Sequence, residues 1–226
     1  MNVAIIIAMD IEYDNMVKVL GGTNQGDYAG NHIVLMKCGI GKVNAAVRAA
    51  ELIKSQQPDC VLSTGLAGGI DPAVNVRDVV IGTQLAYHDV WCGVGNQYGQ
   101  VQGLPPRFAS HPRLVQVAMS MCQRSDLTHT MHQGLVCSGD KFITNTDLLY
   151  AIKRDFPDAL AVDMESAAVA HTCYLYNVPF LAIRIISDTP GRTDNHQQQW
   201  EDFLHDMSNR SFLWMRQFLS ILPNQL

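Results

Sequence analysis

"LAVDMESAAVAHTC", residues 160–173, reads as an apolar strand that hands over to a helix of small residues, with Asp163 and Glu165 at the junction. A strand followed at once by a helix is half of a crossover unit, and the same alternation extends in both directions. Short β-branched runs predict strands over 2–8, 31–37, 59–64, 76–81, 133–137, 159–163 and 179–186. Amphipathic spacing predicts helices over 11–20, 42–56, 111–124, 145–155, 164–176 and 200–221. Strands alternating with helices of this length indicate a sheet with crossover connections, an α/β fold. "GGTNQGDYAGNH" (21–32) reads as a turn region, and the Gly- and Pro-rich stretch 88–110 as a long loop of the kind that is functional or interfacial.

With 226 residues and no low-complexity tract, repeat or charge block to act as a linker, a single domain over 1–226 is expected. A chain of this length buries roughly 70–75% of its unfolded surface, so no covalent staple is needed. The net charge of −5 and the lack of any Lys/Arg cluster argue against a nucleic-acid or anionic-membrane surface. The six cysteines (38, 60, 92, 122, 137, 173) are scattered without a CxxC pair, which fits a reducing compartment. The N-terminal "MNVAIIIAMDIEYD" lacks a basic leader segment, and no apolar run reaches a membrane-spanning length. A cytoplasmic protein is expected.

Three strands deliver acids at their carboxyl ends: Asp10 and Glu12 after "AIIIAM", Asp163 and Glu165 after "LAV", and Asp188 after "IRIIS". Ligands of open α/β sheets sit at such ends. Each acid alone has an ordinary reading, as a first-turn helix acid, an N-cap or a turn opener. Their convergence favours a ligand site. Arg184 lies inside an apolar strand, where a guanidinium requires a partner carboxylate, with or without a ligand. "CGIGKVNAA" (38–46) and "STGLAGGID" (63–71) follow strands and offer backbone N–H groups for an anion or hydroxyl. The first lacks the third glycine of a dinucleotide fingerprint, so a Rossmann oxidoreductase is disfavoured. "HTMH" (129–132) has no third ligand nearby and reads as a surface loop, and no nucleophile elbow is present. The chemistry on offer is that of carboxylates.

The ordered motifs "AMDIE", "CGIGKVNAA", "TGLAGG", "CSGDKFI", "VDMESAAVAH" and "RIISD", spanning residue 3 to about 204, resemble the purine nucleoside phosphorylase/nucleosidase superfamily. Within it they are most similar to the 5′-methylthioadenosine/S-adenosylhomocysteine nucleosidases. The resemblance implies a three-layer α/β/α domain around a mixed, mostly parallel sheet. It also implies a homodimer that uses no metal or cofactor and hydrolyses the N-glycosidic bond of adenosine thioethers. By the same resemblance Glu12 is the base that activates water, and Asp188, oriented by Ser187, is the acid at adenine N7. Phe142 and Ile143 face the adenine, Met164 and Glu165 the ribose, and Arg184 stands near the attacking water. Met9, Ile40, Ala67 and Gly68 form pocket wall, and Asp163 caps the helix or supports the site from behind.

Phosphorolysis is the alternative within the superfamily. It needs an anion site, yet "AMDIEYDNM" and "STGLAGG" carry no arginine and Glu12 would repel phosphate. A nucleosidase for another 5′-modified adenosine is a further alternative, because the chain departs from the family pattern around the 5′ group. Leu66 replaces a serine. Val94, Asn96 and Gln102 replace an aromatic, a tyrosine and a proline in a loop that the resemblance assigns to the dimer mate. A short insertion after Asp188 precedes Trp200, which stands where the family has a pocket aromatic.

Overall fold

The computed structural model describes residues 1–123, 130–192, 195–206, 213–223 and 225–226. Its strands are β1 (Asn2–Ile7), β2 (Gln25–Tyr28), β3 (Asn31–Lys37), β4 (Cys60–Gly69), β5 (Val79–Tyr87), β6 (Phe108–Ala109), β7 (Met131–Ser138), β8 (Ala159–Asp163) and β9 (Phe180–Asp188). The helices are α1 (Asp10–Val19), α2 (Lys42–Gln56), α3 (Pro112–Ser120), α4 (Thr146–Asp155), α5 (Ser166–Tyr176), α6 (His196–Asp206) and α7 (Leu213–Ile221), with a 3₁₀ turn at Met121–Gln123.

β1 explains the layering. Its side chains are apolar from Val3 to Ile7, as a strand covered on both faces requires. Val3, Ile5 and Ile7 enter one core, together with Met16 of α1, Leu114 of α3 and Trp214 and Phe218 of α7. Ala4 and Ile6 enter the opposite core, with Ala45, Ala49 and Leu52 of α2 and Ala167, Ala168 and Ala170 of α5. The alanines let those two helices lie close on the sheet. A third cluster packs Leu149 and Ile152 of α4 over β7 and β8.

The strand order is β2-β3-β1-β4-β8-β7-β5-β6, with β9 pairing both β4 and β5. The run β4-β8-β7-β5-β9 therefore closes on itself as a five-strand ring. β4 makes closure possible by changing neighbours along its length. Cys60–Ser63 pair with β1, whereas Gly68 and Gly69 pair with Val162 and Ala161 of β8. Of the nine strand pairings among the described residues, β1–β3, β1–β4, β4–β9, β5–β7 and β7–β8 are parallel, so the sheet is mixed and mostly parallel as expected.

Four sequence expectations need correction. "TGLAGG" is not a loop after a strand but the second half of β4; its glycines suit close packing, a Cβ at Gly69 falling 3.0 Å from Ile186 Cγ2. β5 begins at Val79 and runs on to Tyr87, beyond the expected 76–81. The turn region 21–32 contains β2, which pairs antiparallel with β3. The single helix 200–221 is instead α6 and α7, and the expected helical residues 207–212 lie outside the described residues. Residue 124, at the end of the helix expected over 111–124, and His129 of "HTMH" also lie outside them. His132 is paired with Asp78, Nε2 to Oδ2 at 2.9 Å.

Candidate active site

The acid-bearing strand ends surround one cavity with about 670 Å³ of empty space. Every residue the resemblance assigns to the site lines it except Arg184: Met9, Glu12, Ile40, Ala67, Gly68, Phe142, Ile143, Met164, Glu165, Ser187 and Asp188. Leu66, Asp163 and Trp200 line it too, as do Lys141 and Pro190, which sequence reasoning did not single out.

Glu12 sits in the first turn of α1 and is 2% exposed. Its Oε2 accepts the Met9 N–H at 3.0 Å, the return half of a capping box. Its Oε1 accepts the Leu66 N–H from β4 at 2.7 Å. The ordinary first-turn role and the site role therefore coexist in one carboxylate. Gly65 permits the approach, since a Cβ there would lie 2.8 Å from Glu12 Oε1. Burial raises the Glu12 pKa above the usual carboxylate value, against the N–H groups of Met9 and Leu66 and the charge of Arg184. Asp10, by contrast, lies on the surface and pairs with Lys37.

Ser187 and Asp188 are consecutive on β9, yet both face the cavity. A regular strand would point them to opposite faces. The register of β4 and β9 shifts between Ala67 and Gly68, pairing Gly68 with Asp188, and this irregularity re-aims the pair. Ser187 Oγ lies 2.6 Å from Asp188 Oδ1, to which it donates, and 3.3 Å from the Ala67 carbonyl oxygen. Glu12 is tied to β4 at the Leu66 N–H, and Asp188 stands beside Gly68 of the same strand in the β4–β9 register.

Asp163 and Glu165 divide their work. Asp163 Oδ1 accepts from Ser138 Oγ and from the N–H groups of Glu165 and Ser166, at 3.3 and 3.2 Å for the two amides. Its Oδ2 accepts from Ser166 Oγ and, at 2.7 Å, from Arg184 Nε. It caps α5 and holds the buried guanidinium. Among the described residues Glu165 instead accepts one hydrogen bond, from the Gly41 N–H at 2.8 Å on Oε1. Burial and the neighbouring Asp163 push its pKa up to about 7. Arg184 also donates to Ser63 Oγ at 2.8 Å and to the Ile183 carbonyl at 3.3 Å, so three of its five N–H groups are engaged behind the cavity wall.

At the rim, Phe142 and Trp200 meet edge to face with centroids 5.6 Å apart. Ile40 is half exposed there. Val94, Asn96 and Gln102 do not line the cavity, and Val94 is fully exposed. Among the described residues no group of three or more His, Cys, Asp or Glu side chains is arranged to hold a metal ion.

A model of the phosphorylase superfamily matches residues 3–220. The 5′-methylthioadenosine/S-adenosylhomocysteine nucleosidase of Pseudoalteromonas translucida is 40% identical over 227 residues, 93% of each chain. The nucleosidase of that name from Colwellia psychrerythraea, whose crystal structure is in complex with adenine, matches with a TM-score of 0.91 and 31% identity over 100% of this chain and 97% of that one. The Neisseria meningitidis enzyme in complex with methylthio-immucillin-A matches at 0.88 and 34%, over 98% and 99% of the two chains. The carboxylate-lined cavity at these strand ends and the match over nearly all of the sequence agree: the chain belongs to the phosphorylase superfamily and, within it, to the 5′-methylthioadenosine/S-adenosylhomocysteine nucleosidases.

Proposed function

We propose that this cavity hydrolyses the N-glycosidic bond of 5′-methylthioadenosine and S-adenosylhomocysteine, with Glu12 as general base and Asp188 as general acid. The observation that carries the assignment is that two buried carboxylates from different elements face one cavity beside the same segment of β4, Glu12 on the Leu66 N–H and Asp188 in register with Gly68. Glu12 removes a proton from a water that attacks C1′. The C1′–N9 bond breaks with its electron pair passing into the purine, and Asp188 delivers a proton to N7, releasing adenine and the 5-thioribose. The division between an acid at the leaving group and a base at water is that of glycoside hydrolysis through an oxocarbenium-like state. A Glu12 pKa raised by burial suits a base, which works best near the operating pH.

Phe142 and Ile143 serve the adenine, Met9 and Met164 pack on the sugar, and Glu165 accepts its two hydroxyls, for which its contacts leave lone pairs available. Arg184 acts on this site through Asp163 and through its charge, which favours the ionised forms of Glu12 and Glu165. Asp163, Ser63 and Ile183 take three of its five N–H groups and its side chain does not line the cavity, so it is poorly placed to clamp phosphate, which favours water.

A homodimer fits the exposed apolar side chains Ile40, Val43 and Val47 near the cavity and Trp91 and Val94 on the long loop. In that assembly the loop carrying Val94, Asn96 and Gln102 closes the 5′ end of the mate's cavity. The net charge of −5 speaks against nucleic acid as a partner, and six free thiols fit the cytoplasm. No described helix is long and apolar enough to cross a membrane.

The test is adenine release from 5′-methylthioadenosine in phosphate-free buffer, repeated with phosphate. Release without phosphate is expected, and Glu12→Gln and Asp188→Asn should each lower kcat by at least about 10²-fold. A phosphate requirement would make the enzyme a phosphorylase. Full activity in either variant would overturn its assigned role.

A further inference from the structure

Three loops that approach the cavity from different strands are tied by a cluster of charges outside its lining. Lys42, the first residue of α2, sends its ammonium to Asp89 after β5, at 2.7 Å from Oδ1 and 2.8 Å from Oδ2. Asp140, after β7, donates its N–H to Asp89 Oδ2 at 2.9 Å. Asp140 Oδ1 in turn accepts the Lys42 N–H at 2.8 Å. Lys42 and Asp89 are largely buried, with side chains 21% and 16% exposed, so this ion pair is better shielded from water than a surface pair. Burial disfavours the Asp89 carboxylate, and the Lys42 ammonium and Asp140 N–H more than offset that, holding its pKa below the usual value.

Two glycines make the approach of the loops possible. At Gly139 a Cβ would fall 2.3 Å from His88 Cε1, so only glycine lets the loop after β7 lie against the end of β5. Gly41, the N-cap of α2, has φ +96 and would bring a Cβ to 3.1 Å from Asp140 Oδ1. The first donors of α2 are then shared between the cluster and the site: the Lys42 N–H goes to Asp140, and the Gly41 N–H goes to Glu165. Fixing residue 42 fixes the direction of the peptide at residue 41.

We infer that Asp89, with Lys42 and Asp140, is a positioning residue that holds the Gly41 N–H on Glu165 and thereby sets affinity for the sugar hydroxyls of the nucleoside. The inference rests on the proposed function, which makes Glu165 the hydroxyl acceptor. None of Lys42, Asp89 and Asp140 lines the cavity, and the Lys42 arm of the cluster reaches it through the Gly41 N–H on Glu165. Adenine lacks the sugar, so it reads only the other arm, which runs from Asp140 to Phe142 and Ile143.

The experiment measures dissociation constants of adenine and of an uncleavable C-nucleoside, 5′-methylthio-ribose joined through carbon to 9-deazaadenine, for wild type and Asp89→Asn. Nucleoside affinity should fall about tenfold and adenine affinity change by less than about twofold, the scale of one weakened charge-assisted hydrogen bond. Lys42→Met should give the same split, and the double variant should lose little more, because both remove one linkage. Lys42→Met also carries the test if Asp89→Asn does not fold. Equal loss for both ligands would mean general loosening and overturn the latch, as would no loss for either. A wild type that binds neither ligand would overturn the nucleoside reading and the latch together.

Discussion

The floor and the rim of the cavity are built by opposite rules. On the floor, Asp163 and Arg184 are buried, and four groups besides the guanidinium donate to Asp163. Glu12 is clamped between two backbone N–H groups. At the rim, Phe142 and Ile40 stand half exposed and contribute surface rather than directed bonds. A charge taken out of water must be fixed by partners at once, so the floor is rigid and intolerant. An aromatic rim has no such requirement and can differ between relatives, which is where Trp200 and the insertion before it lie, whereas Leu66 belongs to the floor through its N–H on Glu12. Under the proposed function, the geometry for the reaction falls to the floor and the choice of 5′ substituent to the rim.

The sharpest way to break this contrast is Arg184→Met. It leaves Asp163 as a buried, uncompensated carboxylate, a change that costs about 3–5 kcal/mol. For a chain of this size each kcal/mol shifts Tm by about 2–4 °C, so a fall of roughly 10 °C in a thermal melt is expected. A melt unchanged within about 2 °C would mean that Asp163 and Arg184 hold nothing together, and the floor would be no more constrained than the rim.

Much of the floor was legible in the sequence because its chemistry is unusual for its surroundings. An arginine inside "LAIRIISD" and acids at the ends of apolar strands announce paired charges, and Asp163 does meet Arg184. What one dimension hides is direction. Nothing in the strand pattern says that Arg184 points behind the wall rather than into the cavity, or that an irregular register turns Ser187 and Asp188 to the same side. Glycines misled for a related reason. Read as loop formers, Gly65, Gly68 and Gly69 instead keep a strand close to Glu12, Pro190 and Ile186. The four residues of β2, "QGDY", carry no apolar alternation to mark a strand. The Lys42–Asp89–Asp140 cluster joins residues far apart in sequence, each of which alone resembles an ordinary surface charge.

Glu165 sits between the two regimes, and pH separates its roles. Its pKa in the fold is raised to about 7 from an ordinary 4.5, by burial first and then by Asp163 and Glu12, against the Gly41 N–H and Arg184. The empty fold therefore disfavours the carboxylate relative to an ordinary glutamate. Its contribution to stability is full below about pH 4.5 and is lost as pH rises through about 7. Sugar hydroxyls need the carboxylate, so nucleoside affinity should move the other way and weaken as pH falls below about 7. Adenine affinity should not share the trend. Binding isotherms for both ligands between pH 5 and pH 8 check this, and Glu165→Gln should flatten the nucleoside curve. A curve that keeps its slope in the variant would assign the titration to another group.

The smallest effect is expected at the rim. Trp200 contributes an edge-to-face contact with Phe142, and such pairs are worth about 0.5–1.5 kcal/mol beyond the area they bury. Trp200→Leu keeps an apolar surface over the cavity mouth but removes that geometry, so KM for 5′-methylthioadenosine should rise about 3- to 10-fold. kcat should stay within about twofold, because no group that moves a proton is touched. Tm should fall by about 1–6 °C, the scale of that pair, and by less than in Arg184→Met. The comparison between substrates carries the most information. If the rim selects the 5′ group, the ratio of kcat/KM for methylthioadenosine to that for S-adenosylhomocysteine will shift in Trp200→Leu and stay put in Arg184→Met. A fall in kcat on the scale of Asp188→Asn would instead place Trp200 among the groups that set the reacting geometry, and the division between floor and rim would fail at that residue.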